Sequence, residues 1–227
     1  MPGMTDYLRR ATAPRLVVAA SRLQWPSHAS AALRRALGQR PCIELFFAYD
    51  DPYAAIALPG LLELARAHKA RLVLFPLGGR GIAGDPAQAQ RRRHAVEDSR
   101  RLARRSGREL MRREPLAAQD CAFLAAWTAA AQAHPSVNGF AAAALEQLWF
   151  RSTALPTLLD YAPLYKEHFG IPPPGDGSAH SAALARNTAR LHRLGHWESP
   201  AARVEGEWFF AHERLAQIGA SLLAQGW

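Results

Sequence analysis

Asp50 and Asp51 stand side by side, just ahead of Pro52-Tyr53 and an apolar run through Ile56, Leu58, Leu61, Leu62 and Leu64. Two adjacent carboxylates suit acid–base chemistry, because repulsion from one raises the pKa of the other toward neutrality. Here Asp50 would raise Asp51. A plainer role is open to the same residue. Asp is a favoured N-cap and Pro a favoured first helical residue. A helix start stabilises negative charge by roughly 0.3–1 kcal/mol at an exposed site. Both readings place Asp51 at the mouth of a helix.

The other reactive residue types are sparse. Cys42 and Cys121 lie far apart and form no C-x-x-C, so neither a redox dithiol nor a multi-cysteine zinc site is spelled out. Each reads as a small buried hydrophobe. Gly79-Arg80-Gly81-Ile82-Ala83-Gly84 matches G-x-G-x-x-G after a strand. It follows the second strand of its unit, and no acidic residue ends a further strand about 20 residues on, which argues against dinucleotide binding and for a flexible loop beside a cleft. His192 and His196 have the i, i+4 spacing of a metal pair, but Gly195 between them breaks the helix and no third ligand follows. No metal is expected.

The elements that must position Asp51 are legible on both sides of it. Cys42–Tyr49 is a near-continuous apolar run, as in a strand covered on both faces. The helix after Asp51 runs to about His68, and 71–77 is a second apolar strand. Strand, helix and strand within about 35 residues make a right-handed βαβ unit with parallel strands. After the loop 78–86, helical periodicity covers 88–106, 116–133, 139–150 and 179–193, with a proline-rich loop at 171–178. At the C-terminal end Glu205-Gly206 forms a tight turn between 202–204 and 207–210, since Gly accepts the positive φ of a two-residue hairpin. A closing helix follows through Leu215, Ile218, Leu222 and Leu223. Residues 1–40 read as an Ala/Arg-rich helical appendage with a helix over 27–37, begun by Ser27 or Ser30. The Arg-rich, acid-poor stretch before Gln39 has some transit-peptide character.

The net charge of +9 over 227 residues is carried by arginine, with Lys69 and Lys166 the only lysines. Ten arginines against three acids fall between Arg91 and Arg113. Basic helices can track phosphates, but pairing with Glu97, Asp98 and Glu109 at roughly i, i+4 would leave a solvated face. With no reading motif or interleaved aromatic set, nucleic acid is not an expected partner. No apolar stretch approaches the roughly 18 residues of a membrane span, and Leu16–Ala20 is too short for a signal-peptide core. The expectation is a cytoplasmic protein without membrane association.

Four segments, in order, resemble one family. Phe46-Phe47-Ala48-Tyr49-Asp50-Asp51-Pro52-Tyr53 resembles the strand and S-P-Y start of the DsbA-like superfamily. Arg93-His94-Ala95-Val96-Glu97-Asp98-Ser99-Arg100-Arg101-Leu102-Ala103 is similar to the R-Y-M-x-x-D-x-x-R-x-A helix of its 2-hydroxychromene-2-carboxylate isomerase and kappa-class glutathione transferase branch. Ser199-Pro200-Ala201 sits where that branch has V-P-T. Glu205–Leu215 resembles its D-G-E-x-F-W-G-x-D-R-L.

The resemblance implies an α/β, thioredoxin-like fold over residues 41–227, with a large all-helical insertion at about 88–194. It implies a cis Pro200 beside the site, glutathione as cofactor, and a small aromatic or electrophilic substrate for an isomerase or transferase; a homodimer is compatible with it. Asp51 then takes the catalytic position. Ser199, Pro200, Glu213 and Arg214 would hold glutathione, with Glu213 meeting the γ-glutamyl amine. Asp50, Pro52, Tyr53, Asp85, Trp197 and Trp208 would line the substrate cleft. Asp85 stands for the family's asparagine. Asp51 stands where the family has serine, or a cysteine in the disulfide enzymes. That replacement fits a second reading, a binding or scaffold protein that has lost its nucleophile.

Overall fold

The computed structural model describes residues 25–81, 84–175 and 178–227. Residues 1–24, on which most of the transit-peptide reading of the stretch before Gln39 falls, lie outside the described residues. Helix α1 spans Trp25–Ala36, so it begins ahead of both Ser27 and Ser30.

Strand β1 (Cys42–Phe47), helix α2 (Pro52–Ala67) and strand β2 (Arg71–Pro76) form the expected parallel unit, in register from Cys42 opposite Arg71 to Phe47 opposite Pro76. Strand β3 (Ala201–Val204) lies antiparallel to β1 on its other side, and β4 (Glu207–Phe210) pairs back on β3. The sheet order is β2-β1-β3-β4. The hairpin turn puts Glu205 at φ 52° and Gly206 at φ 96°, the double positive φ of a type I′ turn. Helix α8 (Leu215–Ala224) closes the chain and buries Ile218 and Leu222 in the main core.

The insertion between β2 and β3 is all helical: α3 (Gln88–Arg105), a 3₁₀ turn (Ala118–Cys121), α4 (Ala122–Ala130), α5 (Val137–Glu146) running into a π turn (Gln147–Arg151), α6 (Leu158–Phe169) and α7 (Ser181–Arg193). Helix α6 was not expected. Pro163 lies inside it and masks its periodicity, yet a capping box starts it: Asp160 N–H donates to Thr157 Oγ1 at 3.3 Å, and Thr157 N–H donates to Asp160 Oδ2 at 3.1 Å. Gly170, at φ 74°, ends it.

Alternation along β1 splits the core. Ile43, Leu45 and Phe47 join the large cluster with α2, α4, α5 and α8, while Phe46 and Ala48 join a smaller one with Leu77 and Leu191 of α7. Glu44 shares the smaller face and bonds Arg203 of β3 at 2.9 Å and Arg190 of α7.

The insertion also covers the free edge of β2. Three side-chain amides take alternate carbonyls of that strand: Asn138 donates to Leu72 O at 3.1 Å, Gln132 to Leu74 O at 2.8 Å and Asn187 to Pro76 O at 2.9 Å. Together they stand in for a missing neighbouring strand and satisfy an edge that would otherwise offer a template for another chain. Trp149 ties the π turn to the far end of β1 by donating Nε1–H to Tyr49 O at 3.0 Å.

Candidate functional site

The site gathers at the carboxyl ends of β1 and β2, where parallel βαβ units collect their functional groups. The chain leaves β1 through Ala48-Tyr49-Asp50-Asp51 and turns into α2. Asp51 is the N-cap, and its Oδ1 accepts from Tyr53 N–H at 3.1 Å. The Ser199-Pro200 peptide is cis, as the resemblance implies. It is fixed against the same turn, because Ala48 N–H donates to Ser199 Oγ at 3.1 Å. Asp50, Asp51, Pro52, Tyr53, Ser199 and Pro200 are therefore brought together, and all are buried.

Both carboxylates are held by arginines. Asp51 Oδ2 lies 3.3 Å from Arg80 Nε, and Asp50 Oδ2 lies 3.2 Å from Arg92 Nη2. The Arg80 backbone N–H also donates to Asp50 Oδ1 at 2.8 Å. Arg80 stretches on toward Glu198, 3.6 Å away, and its guanidinium stands 5.3 Å from the centre of the Tyr53 ring. The same ring is stacked on His212, with centroids 3.9 Å apart and planes 21° apart, while Tyr53 Oη donates to Asp98 Oδ2 at 3.0 Å. Gly79 lets the loop pass close to the 3₁₀ turn, since a Cβ there would lie 2.6 Å from Ala118 Cβ. Asp51 is 0% exposed, so Arg80 and the cis-proline loop close over it.

Burial sets the protonation of this cluster. It lifts Asp51 from 3.8 to about 7; Arg80 pulls the other way, Asp50 adds to the rise, and Ser199 and the Tyr53 N–H hold it back. The sequence expectation of a raised Asp51 therefore holds in direction, but loss of water outweighs the neighbouring charge. Asp50 is also raised by burial, against the Arg80 N–H and Arg92. His212 is lowered by burial from 6.5 to about 4, so the ring stacked on Tyr53 is neutral at pH 7. Neither thiol is activated: burial raises Cys121, with Asp50 and Asp120 adding to the rise, and burial raises Cys42 against Arg71.

The remaining sequence candidates stand further out. Asp85 bonds Ala87 N–H at 2.9 Å and Arg91 Nε at 2.8 Å, stabilising the approach to α3, and it borders a shallow recess with Arg80, Arg92 and Glu198. Glu213 is exposed and touches the cluster through His212 Nε2 at 3.6 Å. Arg214 is the exposed N-cap residue of α8, with no side-chain capping bond. Trp197 is exposed and stacks on His196 at 5.3 Å. Trp208 packs on Phe46 and donates to Leu194 O at 3.2 Å, on the smaller core face. Among the described residues no contact joins either tryptophan to Asp51. His192 and His196 do not share a helix, because α7 ends at Arg193.

Sequence reasoning missed Arg80, Arg92, Asp98, Glu198 and His212 as site residues. Arg80 carried a local signal in its place in the glycine loop directly after β2, and Asp98 and His212 lay within the segments that resemble the family.

No family model and no curated protein matches this sequence. Among solved structures, a 2-hydroxychromene-2-carboxylate isomerase is similar over 81% of this chain and 95% of its own, at 15% identity and a TM-score of 0.59. A probable DsbA oxidoreductase from Streptomyces coelicolor is similar over 82% of this chain and 90% of its own, at 9% identity and a TM-score of 0.63. This is the DsbA-like thioredoxin fold. At such identities the likeness carries the fold alone. In this chain the position that opens α2 beside the cis-proline holds a buried carboxylate.

Proposed function

We propose that this protein is a non-thiol enzyme on a DsbA-like scaffold, an isomerase or transferase acting on a small aromatic or electrophilic substrate with glutathione as its partner, and that Asp51 is its acid–base group. One observation carries the reading: the carboxylate at the start of α2, next to Pro200, has its pKa lifted to about 7. General acid–base catalysis is most effective with a group poised near the working pH. Burying two carboxylates against two half-buried arginines is costly, and such clusters concentrate at functional sites. Tyr53, stacked on a neutral His212 and bonded to Asp98, forms a buried wall beside the carboxylate. Glu213 is the candidate for the glutathione ammonium.

The test is isomerisation of 2-hydroxychromene-2-carboxylate, followed by absorbance with and without glutathione, for the wild type and Asp51→Asn. The expected rate rises as pH passes about 7 and falls roughly 10²–10⁴-fold in the variant. A second reading, a binding or scaffold protein without catalysis, is favoured by the complete burial of Asp51 and by the Tyr53 N–H and Arg80 that already occupy its two oxygens. Absence of both turnover and glutathione binding at millimolar concentration would establish that reading instead.

A further inference from the structure

The ten arginines between Arg91 and Arg113 separate into two groups once their partners are known. Arg91 pairs with Asp85, Arg92 with Asp50 and Arg108 with Glu146. Arg112 is 3% exposed and donates to the carbonyls of Leu148 at 2.9 Å and Thr153 at 3.1 Å. The other six, Arg93, Arg100, Arg101, Arg104, Arg105 and Arg113, make no side-chain hydrogen bond or ion pair among the described residues. The pairs expected from the sequence do not form. Asp98 accepts from Tyr53, and Glu97 and Glu109 make no ion pair among the described residues.

Five of those six lie on α3. At about 100° per residue, Arg93, Arg100, Arg101, Arg104 and Arg105 fall within an arc of about 140° and over about 18 Å of helix. They form two rows, Arg93, Arg100 and Arg104 in one and Arg101 and Arg105 in the other, roughly 100° apart. The other side chains in that arc are Gln90, His94 and the single acid Glu97, all exposed. Of the apolar side chains of the helix, Ala95, Val96 and Ala103 are turned into the core, Leu102 is half-buried and outside that arc, and Ala89 alone is exposed.

We propose that this face of α3 binds duplex DNA through its phosphate backbone, without reading sequence. Guanidinium groups match phosphate oxygens in a bidentate fashion, and unpaired ones need no internal ion pair broken first. An interfacial membrane helix would need an apolar face beside the basic one, and this helix spends its apolar side on the core. Single-strand binding draws on aromatic side chains that stack bases, and α3 has none. Two arginine rows suit the two phosphate strands that border a B-form major groove about 12 Å wide; the A-form groove of RNA is deep and narrow.

The experiment is fluorescence anisotropy of the full chain with a labelled random-sequence 20-base-pair DNA duplex at about 50–200 mM NaCl. Five phosphate contacts give a log–log salt slope near −4.5, a weakening of roughly 500-fold across that range, from a micromolar Kd at low salt. Arg93→Gln/Arg101→Gln/Arg104→Gln should flatten the slope by about 3 and weaken binding at least tenfold. Its circular dichroism and melting temperature should match the wild type, because the substituted side chains are exposed. Arg66→Gln/Lys69→Gln/Arg193→Gln removes the same charge elsewhere on the surface and should leave binding within about twofold. Equal loss in that control reduces the effect to net charge and overturns the proposal. So does a Kd above about 1 mM at the lowest salt, or binding to single-stranded DNA, duplex RNA or phosphatidylserine vesicles as tight as to duplex DNA.

Discussion

Asp51 and His212 carry opposite pKa changes, and their effects on stability should cancel in the wild type and appear separately in variants. Asp51 is lifted from 3.8 to about 7, so between those pH values the folded chain holds a proton that the unfolded chain has released. Stability from this group falls as pH rises, by about 1.4 kcal/mol per pH unit, or about 4 kcal/mol in all. His212 is lowered from 6.5 to about 4, so between those values the unfolded chain holds the extra proton. Stability from that group rises with pH, by about 3 kcal/mol in all. From about pH 4 to 6.5 the two proton counts balance. Asp51→Asn keeps an N-cap acceptor and removes the titration, while His212→Phe keeps the stack on Tyr53. Urea unfolding, followed by tryptophan fluorescence, would be measured at about pH 4, 5, 6, 7 and 8. The gain of Asp51→Asn over the wild type should grow by about 4 kcal/mol from pH 4 to 7 and then level off. The gain of His212→Phe should shrink by about 3 kcal/mol from pH 4 to 6.5. Asp50 is present in all three proteins, so these differences remove its own titration to first order. Difference curves that stay flat with pH would refute the claim that burial controls this cluster.

Three further outcomes follow from the same structure. At about pH 9, where Asp51 is ionised, Asp51→Ser should tighten glutathione binding about fivefold or more, since a thiolate about 4 Å from a carboxylate loses roughly 1 kcal/mol even in water; Glu213→Gln should weaken it in either background, both read by calorimetric titration. The protein should not accelerate reduction of insulin by dithiothreitol, and both cysteines should react slowly with iodoacetamide at neutral pH, because both thiols are raised by burial; an acceleration abolished by Cys42→Ser would contradict this. Gln132→Ala, Asn138→Ala and Asn187→Ala should each cost about 1 kcal/mol in chemical unfolding, and the triple variant should self-associate in sedimentation, because three carbonyls of the β2 edge lose their partners.

Much of the fold was legible in the chain because its signals are local. Cys42–Tyr49 and 71–77 announced their strands by unbroken apolar runs, Asp51-Pro52 announced a helix start, and Glu205-Gly206 announced a hairpin, each from chemistry a few residues wide. Helix α6 escaped because Pro163 interrupts the pattern that α6 still obeys through its capping box. The site was only half legible. Asp50, Asp51, Tyr53, Ser199 and Pro200 could be named from sequence, but what they are chemically could not. The state of Asp51 is decided by loss of water and by Arg80 and Ser199, and the state of the α3 arginines by which acids the fold turns toward them. Glu97 and Asp98 stand at pairing distance along the sequence, yet Asp98 goes to Tyr53 and Glu97 makes no ion pair among the described residues. Periodicity and turn chemistry need only neighbours in the chain; burial and charge need neighbours in space, and only the tertiary structure supplies those.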